Sequence, residues 1–306
     1  MAWLLLAFMS AALLGCYDSF KKQALKSNAV IPVLFLNTLF SSIIFLPFIV
    51  LSATTDVLDS SMFHVASGGW DVHKYVVLKA FIVLSSWVLG YFGMKHLPLT
   101  IVGPINATRP VLVLIGALLV FGERLNGWQW IGVLLAVLSF LLLSRSGKKE
   151  GIDFKHNHWI WMIVGAAMFG AVSGLYDKFL MAPVESGGVG LDRMLVQSWY
   201  NIYQCGMMLA MLLLLWWPKH NETTPFHWHW SIIGVSLFLS TADFLYFYSL
   251  SLPDAMISIV SMIRRGSVIV SFLFGAAFFH EKNLKAKAFD LALVLLGMIF
   301  LYIGSK

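Results

Sequence analysis

The sequence predicts an all-α integral membrane protein, with ten transmembrane helices arranged as two inverted five-helix repeats. Three observations carry that prediction. The 306 residues are 59% hydrophobic and only 12% charged, with a mean hydropathy of +0.82, well outside the range of soluble domains. Apolar runs of about 20 residues, enough to cross the hydrocarbon core at 1.5 Å per residue, recur between short polar breaks. Finally, motifs of the first half return in the second. The polar/apolar alternation of barrel strands is absent.

Spans are expected at Ala2 to Phe20, Ala29 to Ser52, Tyr75 to Leu97, Leu99 to Phe121 and Trp128 to Ser144. After the linker RSGKKEGIDFKHNH they resume at Trp159 to Leu180, Arg193 to Trp217, Trp230 to Leu250, Ala255 to Phe279 and Ala286 to Ile303. The first repeat is therefore 1–147, the polar linker 148–158 and the second repeat 159–306. The N-terminal run lacks a basic segment ahead of it, so it reads as a retained helix rather than a signal peptide. The stretch from Ala53 to His73, with Asp56, Asp59 and Asp71, has no periodicity and reads as a surface loop.

The repeat is visible by eye. Leu97 to Glu123 opens with Leu-Pro, holds Arg109 near its middle and closes on Glu; Leu252 to Glu281 does the same around Arg264 and Arg265. Gly15-Cys16-Tyr17-Asp18-Ser19-Phe20 returns as Gly174-Leu175-Tyr176-Asp177-Lys178-Phe179. Ala11 and Gly15, and again Gly170 and Gly174, place small residues four apart, a spacing that lets helix backbones approach in a membrane. Five spans per repeat invert the second copy, an arrangement whose substrate sites lie near the midplane between repeats.

Several function classes are disfavoured. The net charge of +6 is scattered over loop ends, which suits anionic headgroups and not nucleic acid. Two cysteines, Cys16 and Cys205, both inside apolar spans, indicate neither a disulfide framework nor a metal site, and no cofactor motif appears. His280-Glu281 begins like a zinc-protease helix, but Leu284 stands where the second histidine belongs. There is no Gly-x-Ser-x-Gly elbow and no mid-span lysine in the last helix for a retinal Schiff base. An enzyme is not expected.

Leu-Pro, a long span, Gly122-Glu123-Arg124-Leu125, then Gln129 and Gly132, with His280 to Leu284 and Gly297 in the second half, resembles the EamA branch of the drug/metabolite transporter superfamily. The resemblance implies a basket-like bundle, alternating access and carriage of small organic metabolites, without naming one. It also implies a multi-pass protein of a bacterial inner membrane with cytoplasmic termini. The basic cluster Arg145, Lys148, Lys149 and Lys155 would instead sit inside by the positive-inside rule, leaving the termini outside.

The charged centre is where this sequence departs from the family pattern. Arginine at mid-span costs about 2.5 kcal/mol or more in hydrocarbon and normally faces protein or a water-filled path. Arg109 and Arg264, equally spaced from their Leu-Pro, are expected to bind an anionic substrate group, because the guanidinium fork fits carboxylate and phosphate. Arg265 is expected to pair with Asp243 and hold two helices together. The alternative is that the arginines satisfy helix ends or headgroups and touch no solute. Asn37 and Asn201, at comparable places in the repeats, and Trp87 and Tyr91, one turn apart, are further candidate contacts, though each could merely pack. Asp18 and Asp177 are candidates for ion coupling, beside a structural reading as helix-end residues. Glu123 and Glu281 read as boundary residues.

The expected function is a secondary transporter, an exporter or exchanger of a small organic, anionic metabolite, as monomer or homodimer in a lipid bilayer. The alternatives are a flippase for an anionic lipid-linked sugar and a non-transporting receptor or scaffold.

Overall fold

The computed structural model describes residues 2–109, 111–113, 115, 126–148, 154–252, 260, 263–279 and 284–304. Among them the chain forms ten α-helices. These are α1 (Ala2–Leu25), α2 (Val30–Thr54), α3 (Trp70–His96), α4 (Leu99–Ala107) and α5 (Gly127–Lys148), then α6 (His158–Met181), α7 (Arg193–Met211), α8 (Ser231–Ser251), α9 (Ser267–Phe278) and α10 (Leu284–Gly304). Helices α1, α2, α3, α6, α8 and α10 each contain a run long and apolar enough to cross a membrane, and α7 does so together with its helical continuation to Lys219. Of the residues that bound the two copies of the Pro-to-Glu pattern, Glu123, Pro253 and Glu281 lie outside the described residues.

Local chemistry sets several boundaries. Asp192 caps α7 by accepting from Leu195 N at 2.8 Å, satisfying one of the free N–H groups of a helix start. Helix α3 stops at His96, just ahead of the Leu97-Pro98 pair, because a residue before proline is pushed out of the helical region. Pro104 inside α4 removes one helical hydrogen bond. A turn at Thr108 then interrupts the helix immediately before Arg109.

Each helix pairs with a partner from the other half. The main contacts are α1 with α8, α3 with α6, α2 with α7, α5 with α10 and α4 with α9; smaller ones join α1 to α9, α6 to α4, α2 to α8 and α7 to α3. Exchanging α1–α5 for α6–α10 maps each of these pairings onto another or onto itself, whereas the contact of α4 with α10 has no matching contact of α9 with α5 among the described residues. At the periphery, Ser139 Oγ donates to the backbone carbonyl of Asp290 at 2.7 Å, joining α5 to α10. Lys287, one turn ahead of Asp290 on α10, is fully buried, as is Asp290.

Close approaches depend on glycine where the backbones meet. A Cβ at Gly15 would fall inside contact distance of Val270 Cβ and 3.0 Å from Ser267 O on α9, whereas one at Gly174 would meet nothing within 4 Å. The outward faces are apolar, with Leu5, Phe8, Leu134, Leu141, Leu237 and Leu273 exposed, as a lipid-facing surface requires.

The stretch between α2 and α3 is better anchored than its sequence suggests. Phe63 stacks between Phe48 of α2 (5.1 Å between centroids) and Phe244 of α8 (5.3 Å). Arg193 Nη2 donates to Met62 O at 3.1 Å. These contacts tie the loop across one end of the bundle.

The two α1/α6 glycines should respond differently to a methyl group. Gly15→Ala forces a β-branched neighbour and a carbonyl apart and should cost about 1–3 kcal/mol, seen as a lowered unfolding temperature in detergent. Gly174→Ala should leave that temperature unchanged.

Candidate functional site

A cavity of about 160 Å³ lies between α1, α3, α4, α6, α8 and α9. Its walls carry five cations, Lys21, Lys79, Arg109, Arg264 and Arg265, against three carboxylates, Asp18, Asp177 and Asp243, among the described residues. Elsewhere the bundle interior is largely apolar, so the charges are concentrated here.

Three of the cations have a carboxylate. Lys21 Nζ donates to Asp18 Oδ1 at 2.8 Å across one helical turn, and Ser271 Oγ of α9 donates to the second Asp18 oxygen at 3.1 Å. Lys79 of α3 forms an ion pair with Asp177 of α6 and donates to Ser173 Oγ at 2.8 Å. Arg264 forms an ion pair with Asp243 of α8 and lies 4.2 Å over the Tyr246 ring. Tyr200 OH of α7 donates to the other Asp243 oxygen at 2.8 Å.

Two cations have no carboxylate among the described residues. Arg109 Nη2 donates only to the neutral Asn106 Oδ1, at 3.1 Å, and its buried Nε finds no acceptor. Its guanidinium lies flat against α6, since a Cβ at Gly170 would come within 2.7 Å of Arg109 Cζ. Gly170 is therefore the residue that admits the arginine. Arg265 lines the same cavity and has no hydrogen bond or ion pair among the described residues.

The pairing expected for Asp243 is thus corrected. Arg264 takes the carboxylate and Arg265 is left facing the cavity, which reverses the roles assigned from sequence. The physical reason is directional: neighbours on a helix point about 100° apart, so one residue of the pair must turn to α8. Sequence spacing does not say which one, and the Tyr246 ring and Asp243 both receive Arg264.

The remaining candidates divide. Trp87 and Tyr91 line the cavity, as do Asp18 and Asp177. Asn37 and Asn201 do not; both are buried between α2, α7 and α8. Asn201 Nδ2 donates to Gln197 O at 2.8 Å, while its carbonyl accepts from Ser42 Oγ at 2.9 Å. Ser236 Oγ donates to Asn37 O at 3.2 Å, and both side-chain atoms of Asn37 lack a partner. They belong to an uncharged polar seam with Gln197, Gln204, Ser41 and Ser240, which fits interhelical bonding.

Sequence reasoning passed over Lys79. The signal was present in Tyr75-Val76-Val77-Leu78-Lys79-Ala80, a lysine well inside an apolar run, to which the argument used for the arginines applies equally. Lys21 is buried in the cavity wall, 4.2 Å over the Tyr17 ring. Lys22 caps α3 by donating to Met94 O at 2.7 Å and to Leu97 O. Neither lysine is therefore simply a headgroup anchor.

An apolar helical bundle with paired and unpaired charges around a central cavity has the architecture of a membrane transporter. Residues 1–145 match the model of the EamA-like transporter family, which bears out over that half the resemblance read from the motifs. A solved structure titled "Crystal structure of protein" aligns over 98% of this chain and 96% of its own, with a TM-score of 0.65 and 12% identity; it is similar in fold. No curated protein matches the chain. The family points to a multi-pass membrane transporter of the drug/metabolite superfamily.

A double-mutant cycle tests the buried pair between α3 and α6. Lys79→Met strands Asp177 in the cavity wall and should cost about 3–5 kcal/mol, while Lys79→Met with Asp177→Leu should recover most of it. Thermal unfolding in detergent reads both, and equal costs for the single and double variants would remove the pair as the cause.

Proposed function

We propose that this protein is a secondary transporter of small organic anions, with ten spans in two inverted repeats, working by alternating access in a bacterial inner membrane. The observation that carries the reading is Arg109: a guanidinium held in the cavity wall whose only partner among the described residues is the neutral Asn106. An unpaired charge in a low-dielectric interior is expensive. Its retention is explained if an anion completes it, and the planar fork suits carboxylate or phosphate oxygens.

Three further features support the reading. Most of the contacts between the halves map onto one another when α1–α5 are exchanged for α6–α10, α4 with α10 excepted, which supports a pseudo-two-fold of inverted repeats. The arginines stand at helix breaks, Arg109 just after the turn at Thr108 and Arg265 just before the turn at Gly266, and discontinuous helices are common at transporter sites. Helix α9 begins at Ser267 on the cavity wall, so the positive end of its dipole adds to the field there.

Alternating access needs contacts that close each end. On the side of the α2–α3 loop these are the Phe48–Phe63–Phe244 stack and the Arg193–Met62 bond. At the opposite end Asn28 Nδ2 donates to His227 O at 2.7 Å and Asn28 Oδ1 accepts from His227 N at 2.9 Å. Lys95 Nζ donates to Thr224 Oγ1 at 2.9 Å. Each set is small enough to break and re-form.

A ligand that binds the folded state raises its apparent stability by RT ln(1 + [L]/Kd). Screened at constant ionic strength, organic acids and sugar phosphates should raise the unfolding temperature of the purified protein, and Arg109→Gln should remove that response. Stabilisation by amines or neutral sugars alone, or an unchanged anion response in Arg109→Gln, would overturn the reading.

A further inference from the structure

We infer that the cavity takes a dianion, held between the guanidiniums of Arg109 and Arg265. The inference rests on the reading of this cavity as an anion site and adds to it the charge of the ligand and the second residue that binds it.

The argument is a charge balance. Lys21, Lys79 and Arg264 are each neutralised by a carboxylate across a direct contact. Among the described residues this leaves Arg109 and Arg265 as the two cations of the cavity with no direct carboxylate contact. A monoanion would relieve one of them and leave the other uncompensated in a medium where Coulomb interactions are several times stronger than in water. A ligand with two negative charges relieves both.

Geometry agrees with the count. Arg109 approaches from α4, anchored along the α6 backbone at Gly170. Arg265 approaches from the segment leading into α9, one residue ahead of the turn at Gly266, where a Cβ would come within 2.9 Å of Ile263 O. The two arginines thus stand on opposite repeats and a ligand bridging them touches both halves of the molecule. Trp87 and Tyr91 supply an apolar wall beside the charges.

The dianion could be a short dicarboxylate or a phosphomonoester, which share the same oxyanion chemistry. A set of probes of one skeleton separates charge from shape: succinate (two charges), its half-amide succinamate (one) and its diamide succinamide (none), with methyl phosphate at pH 8 as the phosphomonoester arm. Binding is read by thermal shift and calorimetry on the full chain at fixed ionic strength. Wild type should bind succinate or methyl phosphate at least about 10-fold more tightly than succinamate. Arg265→Gln should abolish that preference, and Arg265→Lys should retain much of it. The unfolding temperature of each variant without ligand reports whether it has folded.

A response to succinate alone assigns dicarboxylates, and to methyl phosphate alone phosphomonoesters; either sustains the inference. Equal affinity for succinate and succinamate, or an undiminished preference in Arg265→Gln, overturns it while leaving the anion reading intact. Silence from every anion, with folded protein, overturns the anion reading and this inference together.

Discussion

The structure depends on how buried charge is balanced inside an apolar bundle. Hydrocarbon outside and packed side chains inside offer little solvation to an ammonium or a guanidinium, so each must find a carboxylate, an aromatic face or a ligand. Lys79 finds Asp177, Arg264 finds Asp243 and Tyr246, and Lys21 finds Asp18 and the Tyr17 ring. Two of the three ion pairs join separate helices, α3 to α6 and α9's lead-in to α8. The Lys79–Asp177 pair crosses between the halves, whereas Arg264–Asp243 ties two elements of the second half together.

The same constraint separates scaffold from site. An ion pair that closes on itself holds helices, and a cation left open calls for something from outside. Arg109 is kept open by Gly170, which lets the guanidinium lie along a backbone that offers no acceptor to its Nε. Away from the cavity, the interface of α2, α7 and α8 uses uncharged groups instead. Asn37, Gln197 and Gln204 there have buried side-chain atoms without partners, spaces that ordered water commonly fills.

Much of this was legible in the sequence, for identifiable reasons. Span length and apolarity located the helices because the bilayer leaves few other options. The repeated Tyr-Asp motif marked Asp18 and Asp177, and both line the cavity. What sequence could not supply was direction. It placed Arg264 and Arg265 side by side but not which one turns to Asp243, and it left Asn37 and Asn201 open between a solute contact and packing, where the structure turns them to neighbouring helices. Lys79 was overlooked for a different reason, its lack of any repeated counterpart, although its depth in an apolar run was signal enough.

The central claim is that the cavity is hydrated and electropositive, and it can be measured without knowing the substrate. Gly174 lines the cavity and has open space around it, so Gly174→Cys in a background with Cys16→Ala and Cys205→Ala places one thiol there. Its reaction rates with anionic sulfonatoethyl and cationic trimethylammonioethyl methanethiosulfonate are compared after normalising to a free thiol. A positive cleft concentrates anions by factors of 10 or more, so the anionic reagent should react on the order of tenfold faster, and less so at high salt. Equal rates, a faster cationic reagent or an unreactive thiol in folded protein would contradict the account.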